Sequence, residues 1–396
     1  MLNLLQKPEK TASRRPETGT ESGSALFNLV ASSGVLNSLA DGAYITDLNR
    51  RILFWSRAAE RITGWSSAEV LSRTCSDNIL VHVDKDGRPL CGRELCPLHR
   101  TMVTGLPSTE PLLIFGKHRR GGRIPLETTV APIRDKNGDV IGGIETFRDL
   151  TSSVRDQLQS RSIQRQAFRN AATGDDRISC QARYMPRDII GGDFYGIERV
   201  DADHYGLLVA DAMGHGISAA LYSMQLRAFL NECCTHLETP SQFMKILNQR
   251  LHELVRDAGY FGTGVCVNYN AATGEVRCVS AGHPSPLLFR GNGTVESLDC
   301  PNPPLGMSAD ENYDTVTSQL QVGDALLLFT DGATEILDSA KAGLGADGLE
   351  CLVRDQSDHE DILEFSLELL ETQLLKHSDQ IRLQDDLTLV KIGRLR

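Results

Sequence analysis

With 396 residues, 40% hydrophobic and 23% charged, the chain has the composition of a soluble globular protein and the length for two domains with separate cores. Its 41 Lys and Arg against 52 Asp and Glu leave a net charge of -11, which argues against general nucleic-acid or membrane-surface binding. No apolar run reaches membrane-spanning length, and Lys7, Glu9 and Lys10 interrupt the start as no signal peptide would allow. Ten cysteines in a chain this long do not suggest a secreted disulfide framework, so we expect a cytoplasmic protein.

Residues 1–24 are rich in Lys, Arg, Glu, Thr, Ser and Gly with almost no apolar periodicity after Leu5, which predicts a disordered tail. A helical pattern begins near Ala25 and carries Leu26, Leu29, Val30, Val35, Leu36 and Leu39. Next, DGAYITDLNRRILFWSRAAERITGWSSAEVLSR (41–73) predicts strands over 43–46 and 51–55 around a turn at 47–49, then short helices. Three further strands are expected in PLLIFGKHRR (111–120), in the alternating RIPLETTVAPIRD (123–135) and in VIGGIETFRDLT (140–151). DKNG (135–138) reads as the hairpin turn between the last two. This succession resembles a PAS domain over about residues 33–151, with Ser56 standing where many such sequences have Asn. The resemblance implies, for a domain spanning 25–151, an antiparallel sheet with flanking helices around a small pocket, whose ligand is unknown.

The same segment holds Cys75, His82, Cys91, Cys96 and His99. A metal, a redox-active disulfide or a haem contact would each use such residues. Their spacing matches no strong zinc pattern, which favours small buried thiols, with Pro97 opening a helix. Trp55, Trp65, Phe54 and Phe115 could line a pocket, although aromatic side chains in a small domain more often fill its core.

RDLT (148–151) resembles the Asp-x-Thr junction that closes many PAS domains. Residues 152–173 follow as a linker helix, free of Pro and Gly up to residue 172 and rich in Gln and Arg. Val154, Leu158, Ile163 and Phe168 are too sparse for a firm heptad, so a dimeric coiled coil and a solvated connector both stay open.

From residue 174 to the C-terminus, strands are expected over 178–186, 204–211, 262–270, 274–282, 314–320, 324–331 and 386–392, with a hairpin in 284–299. Helices are expected from His215 to about Cys233, from Pro240 to Arg256, and over 347–355 and 359–377. By itself this pattern gives only the α+β class.

Within this domain Asp193 and Asp211 each sit among glycines, Asp331 lies at a strand end against a glycine, and Asp385-Asp386 precede the last strand. Carboxylates beside short apolar strands suit a hard divalent cation, and paired ions of that kind activate water for attack on phosphorus. GGDFYG, DAMGHG, SAGHPSPLLF, LFTDGATE and DDLTLV, in this order over residues 174–394, resemble the SpoIIE/RsbU-type branch of the metal-dependent PPM serine/threonine phosphatases. That resemblance implies two stacked antiparallel sheets flanked by helices, an αββα sandwich.

The resemblance also implies two Mn2+ or Mg2+ ions. Asp211 would bridge them, the carbonyl of Ala212 would ligate one, Asp331 and Asp385 would hold the second, and Asp193 would contact it directly or through water. Ala212 stands where many relatives have Gly, which a carbonyl ligand tolerates. Asp386 cannot be told from Asp385 by motif, although neighbours on a strand face opposite ways. His215 could protonate the leaving serine oxygen or merely occupy a Gly-rich turn, and His283 is open in the same way. No Arg is placed by motif to grip a phosphate; Arg183 and Arg187, which flank the first block, are candidates for it. By analogy the substrate would be a phosphorylated STAS-domain anti-sigma factor antagonist, and the protein a homodimer through the PAS domain and linker helix.

Two rival readings stand beside this one. IGGDFYG is superficially like the GGDEF signature of diguanylate cyclases, but the glutamate after the Asp is missing. A catalytically inactive PAS-phosphatase-fold scaffold that binds a partner would be free to lose the acidic set, which is intact.

Overall fold

The computed structural model describes residues 34–91, 95–108, 110–168, 174–255, 260–338, 342–356, 362–377 and 383–396. The expected tail, the start of the first helix, the last residues of the linker and the expected helix start at 359 lie outside the described residues. The chain divides into two units, Met1–Arg155 and Asp156–Arg396, and the division falls inside the helix Thr151–Ala167. Among the described residues no helix is long and apolar enough to cross a membrane.

The first unit is built on one antiparallel sheet of five strands, β1 (Gly42–Asp47), β2 (Ile52–Trp55), β3 (Leu112–Lys117), β4 (Arg123–Arg134) and β5 (Val140–Asp149), in the order β2-β1-β5-β4-β3. Local chemistry sets its turns. The Asp47 carboxylate accepts the Arg51 N–H at 2.8 Å, and Asp135 accepts those of Asn137 and Asp139. Ser56 does the work of a cap: its Oγ accepts from Ala59 N–H (3.1 Å) and Ala43 N–H (2.9 Å), starting the helix Arg57–Thr63 and tying it to β1. Trp55 packs with Tyr44 and Phe147 at ring separations of 5.4 and 6.3 Å, and Phe54 and Phe115 are buried, so these aromatics fill the core.

In the second unit two five-stranded antiparallel sheets form. One takes β7 (Phe194–Arg199), β8 (His204–Ala212), β9 (Gly262–Asn270), β10 (Glu275–Ala281) and β13 (Val316–Gln319), in the order β13-β10-β9-β8-β7. The other takes β6 (Ile178–Met185), β11 (Leu287–Phe289), β12 (Val295–Ser297), β14 (Ala325–Phe329) and β15 (Leu387–Arg394), in the order β12-β11-β14-β15-β6. Strand alternation distributes the side chains into layers. Leu207, Val209, Val265 and Val267 of one sheet share a buried cluster with Leu326, Leu328, Val390 and Ile392 of the other, so these strand faces form the core between the sheets. Leu208, Ala210 and Cys266 turn outward to the helices Ile217–Cys233 and Pro240–Val255. On the other side, Leu327, Phe329 and Leu389 meet the helices Gly345–Gln356 and Leu367–His377. Helix, sheet, sheet and helix thus succeed one another, the expected αββα sandwich.

Two local expectations are corrected. The helix expected from His215 starts at Ile217, because Gly216 holds φ 81° and ψ -149°, outside helical space. The first acidic block runs directly into β7, a strand not among those expected from the sequence, which pairs along its length with β8.

Candidate active site

Strand parity carries the inter-sheet face past its apolar stretch and ends it on polar groups. In β8 the sequence Leu207, Val209 continues to Asp211; in β14 Leu326, Leu328 continues to Thr330; in β15 Ile392, Val390 leads back to Thr388 and then Asp386. Asp193, just before β7, is fully buried, and its Oδ2 accepts the hydroxyls of Thr330 (2.8 Å) and Thr388 (2.6 Å). Thr330 Oγ1 in turn accepts the Thr388 N–H at 3.0 Å. The two threonines, each at the end of a core strand, therefore fix the Asp193 carboxyl at the edge of the sandwich.

Asp385 and Asp386 lie just before β15 rather than on it, and they separate by partner. Asp386 is buried, and its carboxylate accepts the backbone N–H groups of Arg187 (2.6 Å), Gly192 (2.6 Å) and Asp193 (3.3 Å). It is a clamp on the loop that delivers Asp193. Asp385 is half-buried and accepts the N–H of Asp386 at 2.8 Å. Asp331 opens a short 3-10 turn, Asp331–Ala333, where Gly332 passes so close to the Asp386 carbonyl that a Cβ would overlap it. That contact accounts for the glycine after Asp331.

The carboxyls repel one another. Burial first, then Asp211 and Asp386, hold the Asp193 carboxyl well above the usual range. Burial together with Asp331, Asp385 and Asp386 raises Asp211 to about 8, and burial with Asp385 and Glu335 raises Asp331 to about 6. Among the described residues no three His, Cys, Asp or Glu side chains stand in a ready-made metal-holding group. The acidic side chains share one edge and each other's field without closing on a point. An all-oxygen donor set whose charges oppose one another suits a hard divalent cation, so the residues fit Mn2+ or Mg2+.

The remaining expected residues divide. The backbone of Ala212 ends β8, paired with Gly262, next to Asp211. His215 is exposed between Gly214 and Gly216, its Nδ1 3.3 Å from Asp188 Oδ2. His283 is buried; its Nδ1 meets Thr263 Oγ1 at 2.8 Å, and burial pushes its pKa down to about 3. Thr263 pairs with Asp211 across the strands, so His283 braces the site from behind. Arg183 pairs with Glu368 at 2.6 Å and is committed there. Arg187 stands in the Asp386-clamped loop with its Nε buried and without a hydrogen-bond partner.

Gln164 was not anticipated. It is buried near the end of the helix Thr151–Ala167; its Nε2 donates to the Gly191 carbonyl (2.7 Å) and Ser223 Oγ (3.0 Å), and its Oε1 accepts from Tyr184 (3.2 Å). One amide thus joins that helix to the Gly191–Asp193 loop and to the helix Ile217–Cys233. Phe168 adds edge-to-face contacts with Tyr184, Phe194 and Tyr195.

This architecture is a PAS fold followed by a PP2C-type sandwich. Residues 33–150 match the family model of the PAS fold, and residues 201–395 match that of stage II sporulation protein E, SpoIIE. The chain thus holds one region similar to the PAS fold and a second similar to SpoIIE. It is 30% identical over 187 residues to phosphoserine phosphatase RsbP of Bacillus subtilis, covering 46% of each chain. It is 27% identical over 193 residues to phosphoserine phosphatase RsbU of the same organism, covering 48% of this chain and 57% of that one. The chain spans about half the length of the curated relatives it matches. The solved SiaA-PP2C domain of Pseudomonas aeruginosa superposes with a TM-score of 0.54 at 21% identity, covering 62% of this chain and 98% of that one, which establishes the fold.

Proposed function

We propose that the second unit is a metal-dependent phosphoserine/phosphothreonine protein phosphatase under the control of the PAS domain, acting in a partner-switching pathway. The observation that carries this reading is the gathering of Asp193, Asp211, Asp331 and Asp385 at one edge of the sandwich, with the carboxyls of Asp193, Asp211 and Asp331 raised by burial and by their acidic neighbours. The similarity to two named phosphoserine phosphatases supports the same chemistry. Two Mn2+ or Mg2+ ions, when bound, would lower the pKa of water and neutralise charge on the phosphoryl group.

The chain's own groups do the rest. Asp211 and the carbonyl of Ala212, at the end of β8, would hold metal on one side of the site. Asp331 and Asp385 supply the second side of the site. Asp193, immobilised by Thr330 and Thr388, holds its place without a rearrangement cost. His215, exposed on the adjoining turn, would donate a proton to the departing serine oxygen. The substrate we propose is a phosphorylated STAS-domain anti-sigma factor antagonist, and the assembly a cytoplasmic homodimer through the PAS domain and linker helix.

The test is hydrolysis of an aryl phosphate by the full chain, with and without Mn2+, beside Asp211→Asn. Metal-dependent turnover that the substitution reduces by at least about a hundredfold, equivalent to about 2.7 kcal/mol of transition-state stabilisation, is expected. An unaltered chain that shows no turnover and binds no Mn2+ would sink the reading and leave the scaffold. A STAS-domain phosphoprotein then tests the substrate separately.

A further inference from the structure

The helix Ile217–Cys233 begins just after His215, and its inner side packs Ala219, Tyr222, Leu226 and Leu230 against the sheet. Up to its last turn, the residues it exposes are Ile217, Ser218, Leu221, Gln225 and Ala228, none of them charged. Ile217 is 55% and Leu221 65% exposed, and Met213, 40% exposed, precedes them on the turn that follows Asp211. The charged side chains of this helix are placed elsewhere. Arg227 is buried and pairs with Glu198 at 2.5 Å, and Glu232 lies in the last turn, paired with Arg250 at 2.8 Å. Ile217, Leu221 and Ala228 follow one another at helical spacing, so the uncharged face extends about 16 Å from the catalytic turn.

The other outer helices of this unit meet water in the usual way. Pro240–Val255 exposes Lys245 and Glu253, Gly345–Gln356 exposes Asp347 and Arg354, and Leu367–His377 exposes Glu368 and Lys376. A helix that is apolar on both sides is ordinarily covered on both. The Gln164 contact falls on buried Ser223 and does not cover the outer face.

Position and charge identify what does. The acidic excess behind the net charge of -11 lies in residues 156–396, where Asp and Glu outnumber Lys and Arg. The helix also starts from the edge that Asp211 occupies at the end of β8. A phosphoprotein is itself anionic there, so long-range attraction contributes little to holding it. Its adhesion has to come from uncharged surface next to the site. A second copy seated on this face would stand over Met213 and Ile217, across the way a protein substrate takes to the carboxylates.

Resting on the phosphatase reading, we propose that the outer face of Ile217–Cys233 docks the phosphoprotein substrate. The partner it fits carries an uncharged, apolar patch beside its phosphoserine. That patch lies along Ile217, Leu221 and Ala228 while the phosphoseryl group enters the acidic edge. An aryl phosphate is too small to reach along the helix, so the two kinds of substrate separate docking from chemistry.

The experiment compares the full chain with Leu221→Glu and Ala228→Glu, using Mn2+, an aryl phosphate and a serine-phosphorylated STAS-domain protein. Leu369→Glu is the control, an equally exposed leucine position on the helix Leu367–His377 at the other side of the sandwich. Both variants of the docking face should raise the KM for the phosphoprotein at least about tenfold, with kcat and aryl-phosphate turnover within about twofold of the unaltered chain. Leu369→Glu should change neither. Unchanged aryl-phosphate turnover also shows that the variants are folded. A phosphoprotein KM that stays the same in both variants overturns the docking face, and a lower mass in light scattering alongside it makes the face a contact between copies. An equal loss with both substrates, or the same loss in Leu369→Glu, overturns it as well. An unaltered chain that hydrolyses the aryl phosphate but not the phosphoprotein overturns the substrate reading, and the docking face falls with it.

Discussion

Asp385 and Asp386 are adjacent in sequence, yet the structure gives their carboxylates different work. Three backbone N–H groups spend the acceptor capacity of Asp386, and burial makes each of them costly to abandon. Asp386→Ala therefore costs about 3 kcal/mol and lowers the melting temperature by about 10 °C in a domain of this size. Asp385→Ala loses one short-range bond at a half-buried site and moves the melting temperature by less than about 2 °C, within the usual range for surface changes. It weakens Mn2+-dependent turnover at least about tenfold, or about 1.4 kcal/mol. Paired melting curves and Mn2+ titrations check this; an equal loss of stability in both variants would contradict the division of roles. The acidic blocks were legible because each Asp lies against glycines and a short apolar run. Which of the two neighbours is tied into the loop was not, because loop hydrogen bonds decide it and no periodicity encodes them.

Gln164 shows the same limit at the scale of an element. Helix-reading rules look for apolar residues every three or four positions, and Thr151–Ala167 offers few. Its C-terminal half packs instead through Arg161, 7% exposed, and Gln164, 3% exposed, whose polarity suggests a solvated face. The helix itself was legible from its lack of Pro and Gly; its docking face was not. Gln164→Ala would leave the Gly191 carbonyl and the Ser223 hydroxyl short of a donor next to the loop that carries Asp193. Unsatisfied buried groups of this kind cost about 1–3 kcal/mol. The expected result is a melting temperature lower by about 5 °C, together with a higher half-saturating Mn2+ concentration for aryl-phosphate hydrolysis. Turnover at saturating Mn2+ recovers toward that of the unaltered chain. An unchanged Mn2+ titration would make Gln164 a packing residue only.

For the whole molecule, the division between Arg155 and Asp156 has a functional consequence. It assigns Arg161, Gln164 and Phe168 to the catalytic unit, although they belong to the helix that begins at the end of the PAS domain. The strands follow from alternating and fully buried runs, patterns that a sequence displays openly, and the αββα layers and the PAS sheet follow from the family resemblances. The division does not, since the helix runs through it without a break in composition. Two truncations separate the possibilities. The segment Asp156–Arg396 retains its inter-sheet core and the Gln164 contacts, so it should melt in one cooperative transition and hydrolyse an aryl phosphate with Mn2+. A chain starting at residue 174 keeps the sheets but loses Gln164 and Phe168, and should show weakened Mn2+ dependence at similar secondary-structure content. If the two truncations match at every Mn2+ concentration, the helix plays no part in completing the site. If the longer one is inactive where the full chain is active, residues 1–155 supply something the site requires, and control by the PAS domain is activating.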